Sequence, residues 1–247
     1  KEIPAGQSQQ QESEFLFQTI LEEVRRRDPK EICMDLTQGF RHHSMLMFLV
    51  GLLQGLSGMK LNLYYSMIKC QEEKSKIQHF ECVDLVSFLE IGYMSLILQL
   101  FPTSFNIPSF IQLQHKEFNN VKSELGKVAQ AILENNLDTA VAAAESAAQQ
   151  VDTFLKSQQG QFLQAQASGT VQLLQELRQL QKQTKAQKML QFGRMFLQRH
   201  YFLNAATFLH EGLLKLIREI TDFDALCLRK DVKVASLEYK ASQTIKM

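Results

Sequence analysis

The sequence predicts a protein with two parts, an α/β part followed by an all-α part. Over residues 1–101, apolar runs alternate in the order helix, strand, helix, strand, helix. That order is typical of a parallel, three-layer α/β domain. After Ser109 the chain keeps helical periodicity, and no convincing strand appears. Pro102 and Pro108 lie where the pattern changes, so we place a domain boundary between residues 103 and 104.

The α/β part opens with features of a strand end. Residues 1–6 read as a strand end and a loop, and residues 11–27 then form an amphipathic helix. Proline disfavours helical geometry in the residue before it, so Pro29 ends that helix. A short apolar strand follows at residues 31–36. A turn then leads into an almost wholly apolar helix, for which Gly58 is suited to the C-cap.

The second strand covers residues 60–68, which are apolar enough to be buried in a parallel sheet. Residues 70–78 read as a polar loop, and residues 79–83 lead into a helix at residues 84–101. Asp84 is suited to the N-cap of that helix, because its carboxylate can accept from free backbone N–H groups. Two or three strands are visible, which is fewer than a sheet of this kind normally has.

The all-α part consists of amphipathic helices. The predicted helices cover residues 110–135, 137–156, 187–199 and 201–220. The last two form a helical hairpin. Glutamines are frequent before this hairpin, but leucines keep a helical stripe among them, so we interpret the glutamines as a solvated face. Residues 222–247 have weak periodicity, and no element is predicted there.

The 247-residue chain has the composition of a soluble globular protein, with 45% hydrophobic and 21% charged residues. Its net charge of +1 excludes a global field of the kind that drives non-specific nucleic-acid binding. Any RNA or nucleotide site must therefore be local. The four cysteines lie far apart without C-x-x-C spacing. They indicate free thiols in a reducing compartment, so a cytoplasmic location is expected.

Two apolar runs call for comparison with a membrane span. Residues 45–56 are too short, since about 20 residues are needed. Residues 83–101 are long enough but contain Asp84, Glu90 and Gln99. Buried helices that face a sheet therefore explain both runs better than membrane insertion does.

The turn after the first strand is the candidate ligand site. Open α/β sheets bind ligands where a strand end is followed by a glycine-containing turn and a helix. The helix offers unpaired N–H groups and the positive end of its dipole. The turn consists of Thr37, Gln38, Gly39, Phe40 and Arg41. These residues suit an anionic or nucleotide-like ligand, and the alternative is a turn that only caps the helix.

Residues 35–41, DLTQGFR, resemble the D-[IL]-T-H-G-F-R signature of CRISPR-associated proteins with a CARF sensor domain. In one branch of that family the sensor is often paired with a HEPN ribonuclease domain. The flanks are similar too: IPAG at 3–6 resembles I-P-x-G, LYY at 63–65 resembles [ILV]-x-Y-[YG], and VDL at 83–85 resembles [PV]-V-D-L. The segment at 201–213 is similar to the Y-x-x-A…E-A-L helix of the helical domain.

The chain departs from the signature at two points. Gln38 stands where histidine is usual, and His42-His43-Ser44 replaces a short stretch that ends in proline. The family domain also begins with a strand and a glycine-containing loop upstream of anything in this chain. We therefore expect the chain to be a fragment whose sensor domain lacks its N-terminal part.

The resemblance implies a Rossmann-like CARF sensor domain at residues 1–103 and a helical HEPN-like effector domain at residues 104–247. A homodimer or higher homo-oligomer would bind a cyclic oligoadenylate, a second messenger made by a type III CRISPR complex that has detected invading RNA. The five turn residues would supply ligand contacts. Binding would then activate the effector domain, a metal-independent endoribonuclease that cleaves single-stranded RNA without a cofactor.

HEPN ribonucleases use an R-x(4–6)-H pair, and two pairs meet at a dimer interface. Histidine exchanges protons near neutral pH, and arginine stabilises phosphate charge. In the helical part this spacing occurs once, at Arg194 and His200. The family usually places the pair on a later helix, but no histidine follows His210. Three interpretations stay open: these two residues are the pair, the motif lies in an absent C-terminal part, or the effector is degenerate.

Two other functions also stay open. One is a regulatory module whose helical part only dimerises or binds a partner, and the other is a ring nuclease that degrades the messenger. A metal site built from His42, His43, His79 and Cys82 is disfavoured, because the spacing fits no zinc pattern and adjacent histidines point apart on a helix. The sequence contains no P-loop, nucleophile elbow or G-x-G-x-x-G, so we expect neither a metal nor a cofactor.

Overall fold

The computed structural model describes residues 8–37, 41–71 and 78–220. The described residues are mostly helical, with a small mixed sheet of three strands. The expected combination of an α/β part with further helices is therefore confirmed. The helices are α1 Gln9–Arg27, α2 Arg41–Leu56, α3 Val86–Ser104, α4 Lys116–Leu133, α5 Leu137–Lys156, α6 Gln164–Gln179, α7 Lys185–Gln198 and α8 Phe202–Ile220. The strands are β1 Glu31–Asp35, β2 Lys60–Gln71 and β3 Gln78–Asp84.

Helix α1 begins and ends at residues that local chemistry favours. The Ser8 hydroxyl accepts from the Gln11 backbone N–H, and the Gln11 side chain accepts from the Ser8 backbone N–H. This reciprocal pair is a capping box. At the other end, Asp28 adopts a left-handed φ of 43° and its N–H donates to the Val24 carbonyl. Pro29 follows, so the predicted end of this helix is confirmed.

The sheet has the strand order β1-β2-β3. β1 and β2 are parallel, with Met34 opposite Leu63, and α2 connects them. β2 and β3 are antiparallel, with Ser66 opposite Cys82. The prediction of an all-parallel sheet is therefore wrong for the third strand.

Strands β2 and β3 include residues for which the sequence predicted no strand. β2 continues to Gln71 and β3 begins at Gln78, so both ends of the predicted loop at residues 70–78 lie in strands, and so do residues 79–83, which were predicted to lead into the next helix. Antiparallel strands can be solvated on one side, so their sequence need not be apolar. Asp84 is the last residue of β3 rather than a helix N-cap, and its carboxylate accepts from the Val86 N–H at 2.9 Å.

The sheet buries only one of its faces in the described residues. Met34, Leu36, Leu61 and Leu63 are buried on that face. Helix α2 packs there, since a Cβ added at Gly51 would lie 3.8 Å from the Met34 sulfur. The other face carries exposed or half-exposed side chains, namely Glu31, Cys33, Asp35, Asn62 and Ser66. The burial that a third layer would give this face is absent in the described residues, so the predicted three-layer arrangement is wrong for them.

Helix α3 is the one described helix that is long and apolar enough to cross a membrane, judged by length and composition alone. Core helices of soluble proteins have the same composition, and 44% of its apolar window is buried inside the protein. Met94, Ile97 and Leu98 have no exposed surface. The helix therefore lies in a protein core, as the sequence predicts.

The Glu90 carboxylate ties α3 to the segment before α4. Glu90 is 1% exposed, and it accepts from the backbone N–H groups of Gln114 and His115. Its Oε2 also lies 2.6 Å from His115 Nδ1. Gln114 Nε2 donates to the Leu61 carbonyl at 2.7 Å, which joins the same segment to β2. These partners compensate the burial of a carboxylate, which would be costly if it were left alone.

The chain folds into two compact units, each built from separate stretches of sequence. The first consists of residues up to 99, 107–123 and 153–167, and the second consists of residues 100–106, 124–152 and those from 168 onward. These segments interleave along the chain. The division into functional domains at 1–103 and 104–247 stays a prediction.

The second unit contains the predicted hairpin, which is confirmed as α7 and α8. Thr184 and Gln187 form a capping box at the start of α7. The two helices pack closely, since a Cβ added at Gly193 would lie 2.6 Å from Leu209 Cγ. An aromatic cluster fills this unit, with neighbouring ring centroids 5.5 to 6.3 Å apart: Phe105, Phe192, Phe196, Tyr201 and Phe208.

Candidate functional site

The candidate ligand site begins where β1 ends. The Leu36 N–H donates to the Tyr64 carbonyl at 2.8 Å, and the Thr37 hydroxyl accepts from the Ser66 N–H at 2.7 Å. The Thr37 side chain therefore takes the place of a further backbone acceptor beside β2. This role is structural, and it fixes the position from which the turn departs.

A carboxylate lies at the same strand end. The Thr37 N–H donates to Asp35 Oδ1 at 2.9 Å. The Thr37 hydroxyl, and then this N–H, hold the pKa of the Asp35 carboxyl below its usual range, because both stabilise the charged form. Asp35 is therefore negative near neutral pH and fixes the conformation at Thr37.

The predicted turn residues are described in part. Gln38, Gly39 and Phe40 lie outside the described residues, and Arg41 is described only as the first residue of α2. Their contribution to ligand binding stays a prediction. Thr37 and Arg41 bracket the turn between the end of the strand and the beginning of the helix.

Ser44 connects that helix to the strand. Its hydroxyl donates to the Leu36 carbonyl at 2.9 Å. The first turn of α2 is thereby held at the end of β1, where helix N–H groups and the positive dipole end favour an anion. Sequence reasoning did not find this contact, because a serine in the first turn of a helix has many possible partners.

The strand β2 extends beyond the end of β1. Asp35 pairs with Tyr64, and from Tyr65 onward β2 is paired in the sheet with β3 alone. Tyr65 is 41% exposed and Met67 is 46% exposed. Two large side chains are therefore exposed to solvent on either side of Ser66, the residue whose N–H donates to the Thr37 hydroxyl. The alternation of side chains along β2 is the signal that could have identified them.

Arg194 and His200, the candidate catalytic pair, are both exposed. Arg194 lies on α7 between the buried Gly193 and Met195. His200 lies in the turn before α8, with a left-handed φ of 63°, and its ring packs edge-on against Phe202 at 5.7 Å. Because both side chains are exposed, the pair is accessible to a substrate. No hydrogen bond joins the two side chains within the described chain.

Arg199, next to His200, is a structural residue that the sequence did not single out. Its Nε donates to the Pro102 carbonyl at 2.7 Å, and its Nη1 donates to the Met195 carbonyl at 2.9 Å. The guanidinium lies 4.4 Å from the centre of the Phe105 ring. Burial lowers the pKa of this group from its usual value. Arg199 thus fixes the turn that presents His200.

A polar cleft of about 490 Å³ opens in the second unit. Its charged side chains are three lysines and three acids, namely Lys185, Lys188, Lys215, Glu134, Asp138 and Glu211. Lys188 Nζ lies 3.2 Å from Asp138 Oδ1. The charges balance, and neither candidate catalytic residue lines the cleft. The described chain contains no group of three or more His, Cys, Asp or Glu side chains placed to hold a metal ion.

Comparisons with known proteins add no relatives to these observations. No family model matches this chain, and no curated protein matches it either.

Proposed function

We propose that this chain is a CRISPR-associated accessory protein that senses a cyclic oligoadenylate and responds by cleaving single-stranded RNA. The observation that carries the proposal is the position of residues 35–41. This segment, which resembles the CARF signature, leaves a strand that is parallel to β2 and enters α2. β1, α2 and β2 make one β-α-β unit, the building block of a Rossmann-like sensor domain.

The messenger is a ring of phosphates and adenines. Phosphates favour the N-terminus of α2, where free N–H groups and the helix dipole meet a negative ligand. In this proposal, Gln38, Gly39, Phe40 and Arg41 contact the ring, and Thr37 positions them through its bond to Ser66. The negative Asp35 beside Thr37 disfavours phosphate on its own side of the strand.

The proposed ribonuclease belongs to the HEPN class and acts in the helical part of the chain. His200 would exchange the proton of the attacking 2′-hydroxyl or the leaving group, and Arg194 would stabilise the phosphate charge. Both are exposed and lie on α7 or directly after it. Because no hydrogen bond joins the two side chains in the described chain, the proposal requires a second subunit to complete the site.

A mostly apolar stripe on α8 supports a homodimer. Leu203, Leu213 and Ile217 are 81%, 39% and 37% exposed. With Ala206 and His210 they recur at spacings of three and four residues, which is the seam of a helix pair. We name these five residues the α8 stripe. It begins three residues after His200, so association through it would bring a second chain close to the candidate pair.

One substitution tests the catalytic assignment. His200→Ala should lower messenger-dependent RNA cleavage by about a hundredfold or more, because general acid–base catalysis contributes at least that much. Calorimetry on the same variant should show unchanged binding of cyclic tetraadenylate or hexaadenylate. Cleavage at the rate of the original protein would exclude this pair, and the absence of binding to any ring would exclude the sensor.

The second candidate is a sensor whose helical part has no nuclease activity. The observation that favours it is that Arg194 and His200 are exposed and share no hydrogen bond in the described chain. A messenger-binding dimer that leaves labelled single-stranded RNA intact would establish this second function.

A further inference from the structure

We propose that Tyr65 and Met67 form a stacking surface for an adenine base of the messenger. This inference rests on the proposed function and deepens it, since it names where the base of the ligand lies. We name these two residues and Val83 the base platform.

The base platform continues the buried face of β2. Side chains alternate along a strand, so Leu61, Leu63, Tyr65 and Met67 point to one side. The first two are 5% and 1% exposed, and the last two are 41% and 46% exposed. The apolar pattern therefore runs past the covered core by two side chains. Tyr65 and Met67 therefore offer apolar surface to solvent on a scaffold of strands.

The neighbouring strand makes the platform rigid. Tyr65 lies opposite Val83, and Met67 lies opposite Glu81, in the antiparallel ladder of β2 and β3. Directly opposed side chains on one face lie close enough to support each other. The backbone of both residues is thus fixed before a ligand binds, which lowers the entropic cost of stacking.

The charge of the platform selects the part of the nucleotide that it contacts. Its side chains are an aromatic ring, a thioether and an isopropyl group, none of which carries a charge. The face of an uncharged base stacks on aromatic and sulfur groups, whereas a phosphate gains no charged partner from these three side chains.

The platform adjoins the proposed phosphate site. The residue between Tyr65 and Met67 is Ser66, whose N–H donates to the Thr37 hydroxyl at 2.7 Å. One hydrogen bond, from a backbone N–H to a side-chain hydroxyl, therefore links the platform strand to the first residue of the turn. A nucleotide carries its base beside its phosphate, so one adenylate unit can lie on the platform while its phosphate faces the start of α2.

Titration calorimetry of the whole chain with cyclic tetraadenylate and cyclic hexaadenylate tests the platform. Tyr65→Ala should weaken binding about tenfold or more, because stacking on an aromatic side chain contributes on that order per base. Tyr65→Phe should bind as the original protein does, since it keeps the ring. The matched control is Tyr64→Ala, which removes the neighbouring tyrosine on the opposite face of β2.

A fluorescence measurement distinguishes stacking from a structural role. The chain contains no tryptophan, so Tyr65→Trp introduces a single reporter. Its emission should be quenched when cyclic oligoadenylate is added, and that of Tyr64→Trp should not change.

The outcomes separate the two proposals. If Tyr65→Ala binds the messenger as tightly as the original protein, or if Tyr65→Trp is not quenched, the base platform is wrong and the sensor function stands. If the original protein binds no cyclic oligoadenylate, the sensor function fails, and the platform fails with it. Equal loss in Tyr65→Ala and Tyr64→Ala would indicate damage to the strand and would also overturn the platform.

Discussion

The Ser66 N–H donates to the Thr37 hydroxyl at 2.7 Å, so a side chain rather than the backbone makes the last contact between the β1 end and β2. Thr37→Val keeps the shape of the residue but removes the acceptor. We expect it to lower the free energy of unfolding by about 1–3 kcal/mol, because the Ser66 N–H is left unpaired in a part-buried place. Chemical denaturation measures this difference. Thr37→Ser keeps the hydroxyl and should lie close to the original protein, and equal losses in both variants would contradict the assigned role.

A second prediction concerns the approach of α2 to α3. A Cβ added at Gly55 would collide with the phenol of Tyr93. Gly55→Ala should therefore lower the free energy of unfolding by about 1–3 kcal/mol through overpacking. The control is Gly126→Ala in α4, where nothing lies within 4 Å of the added Cβ. That change should stabilise by up to about 1 kcal/mol, since alanine favours helix. Thermal unfolding of both variants gives opposite shifts if the packing is correct.

Tyr93 should make stability depend on alkaline pH. Burial, and then the nearby Glu90, raise the pKa of Tyr93 to about 12. In the unfolded chain this phenol ionises near pH 10. Above that pH, ionisation therefore stabilises the unfolded state before it can stabilise the folded state. The contribution of the buried phenol to the free energy of unfolding is complete below pH 10. It is lost as the pH rises to 12, and its magnitude is about 2 kcal/mol.

The comparison with Tyr93→Phe isolates that contribution, since other groups also titrate at alkaline pH. The difference in the free energy of unfolding between the two proteins should be constant up to pH 10 and should shrink above it. The variant also loses the donor to the Leu52 carbonyl, at 3.1 Å. A difference that stays constant to pH 12 would show that the phenol is solvated.

Substitutions at Arg194, on α7, and at Arg199, just after it, should affect stability and activity differently. Arg199→Ala leaves the Pro102 and Met195 carbonyls without their donors, and we expect a loss of about 1–3 kcal/mol. Arg194→Ala changes an exposed side chain and should alter the free energy of unfolding by less than about 0.5 kcal/mol. RNA cleavage should nevertheless fall in Arg194→Ala. Retention of full cleavage in that variant would remove Arg194 from the proposed site.

The α8 stripe predicts the oligomeric state. Leu203→Glu places a charge in the exposed seam, so it should convert a dimer into a monomer in size-exclusion chromatography with light scattering. Phe162→Glu is the control, because Phe162 is 71% exposed and lies outside the stripe. Its elution and mass should equal those of the original protein. Dimers that persist in Leu203→Glu would exclude α8 as the seam.

Sequence patterns predicted the elements whose structure depends on residues close to one another in the sequence. Pro29 ended α1 as expected, and the apolar periodicity of α7 and α8 gave their hairpin. The strand β3 was missed because its pairing with β2 depends on contacts between separate segments of the chain, and its polar residues resemble a loop. The bond from Glu90 to His115 was missed because it joins residues far apart in sequence, for which no periodicity exists.

The candidate site also combines features that the sequence predicted with features that it did not. The position of Thr37 at a strand end followed from the apolar run before it. The sequence could not predict that the Thr37 hydroxyl accepts from the Ser66 N–H while the Thr37 N–H donates to Asp35. The exposure of Tyr65 depends on how far β2 outruns β1, which strand propensity does not determine.

The buried Glu90 decides how this chain can be dissected. A piece that stops at the predicted boundary after residue 103 keeps the carboxylate and discards all three donors that Gln114 and His115 bring to it. The shorter piece would then lose the partners of a carboxylate that the whole chain buries, and the packing around it would not be that of the whole chain. A piece made to test the proposed sensor must therefore extend through His115, and insolubility of a shorter piece would not bear on whether the proposed sensor binds a messenger.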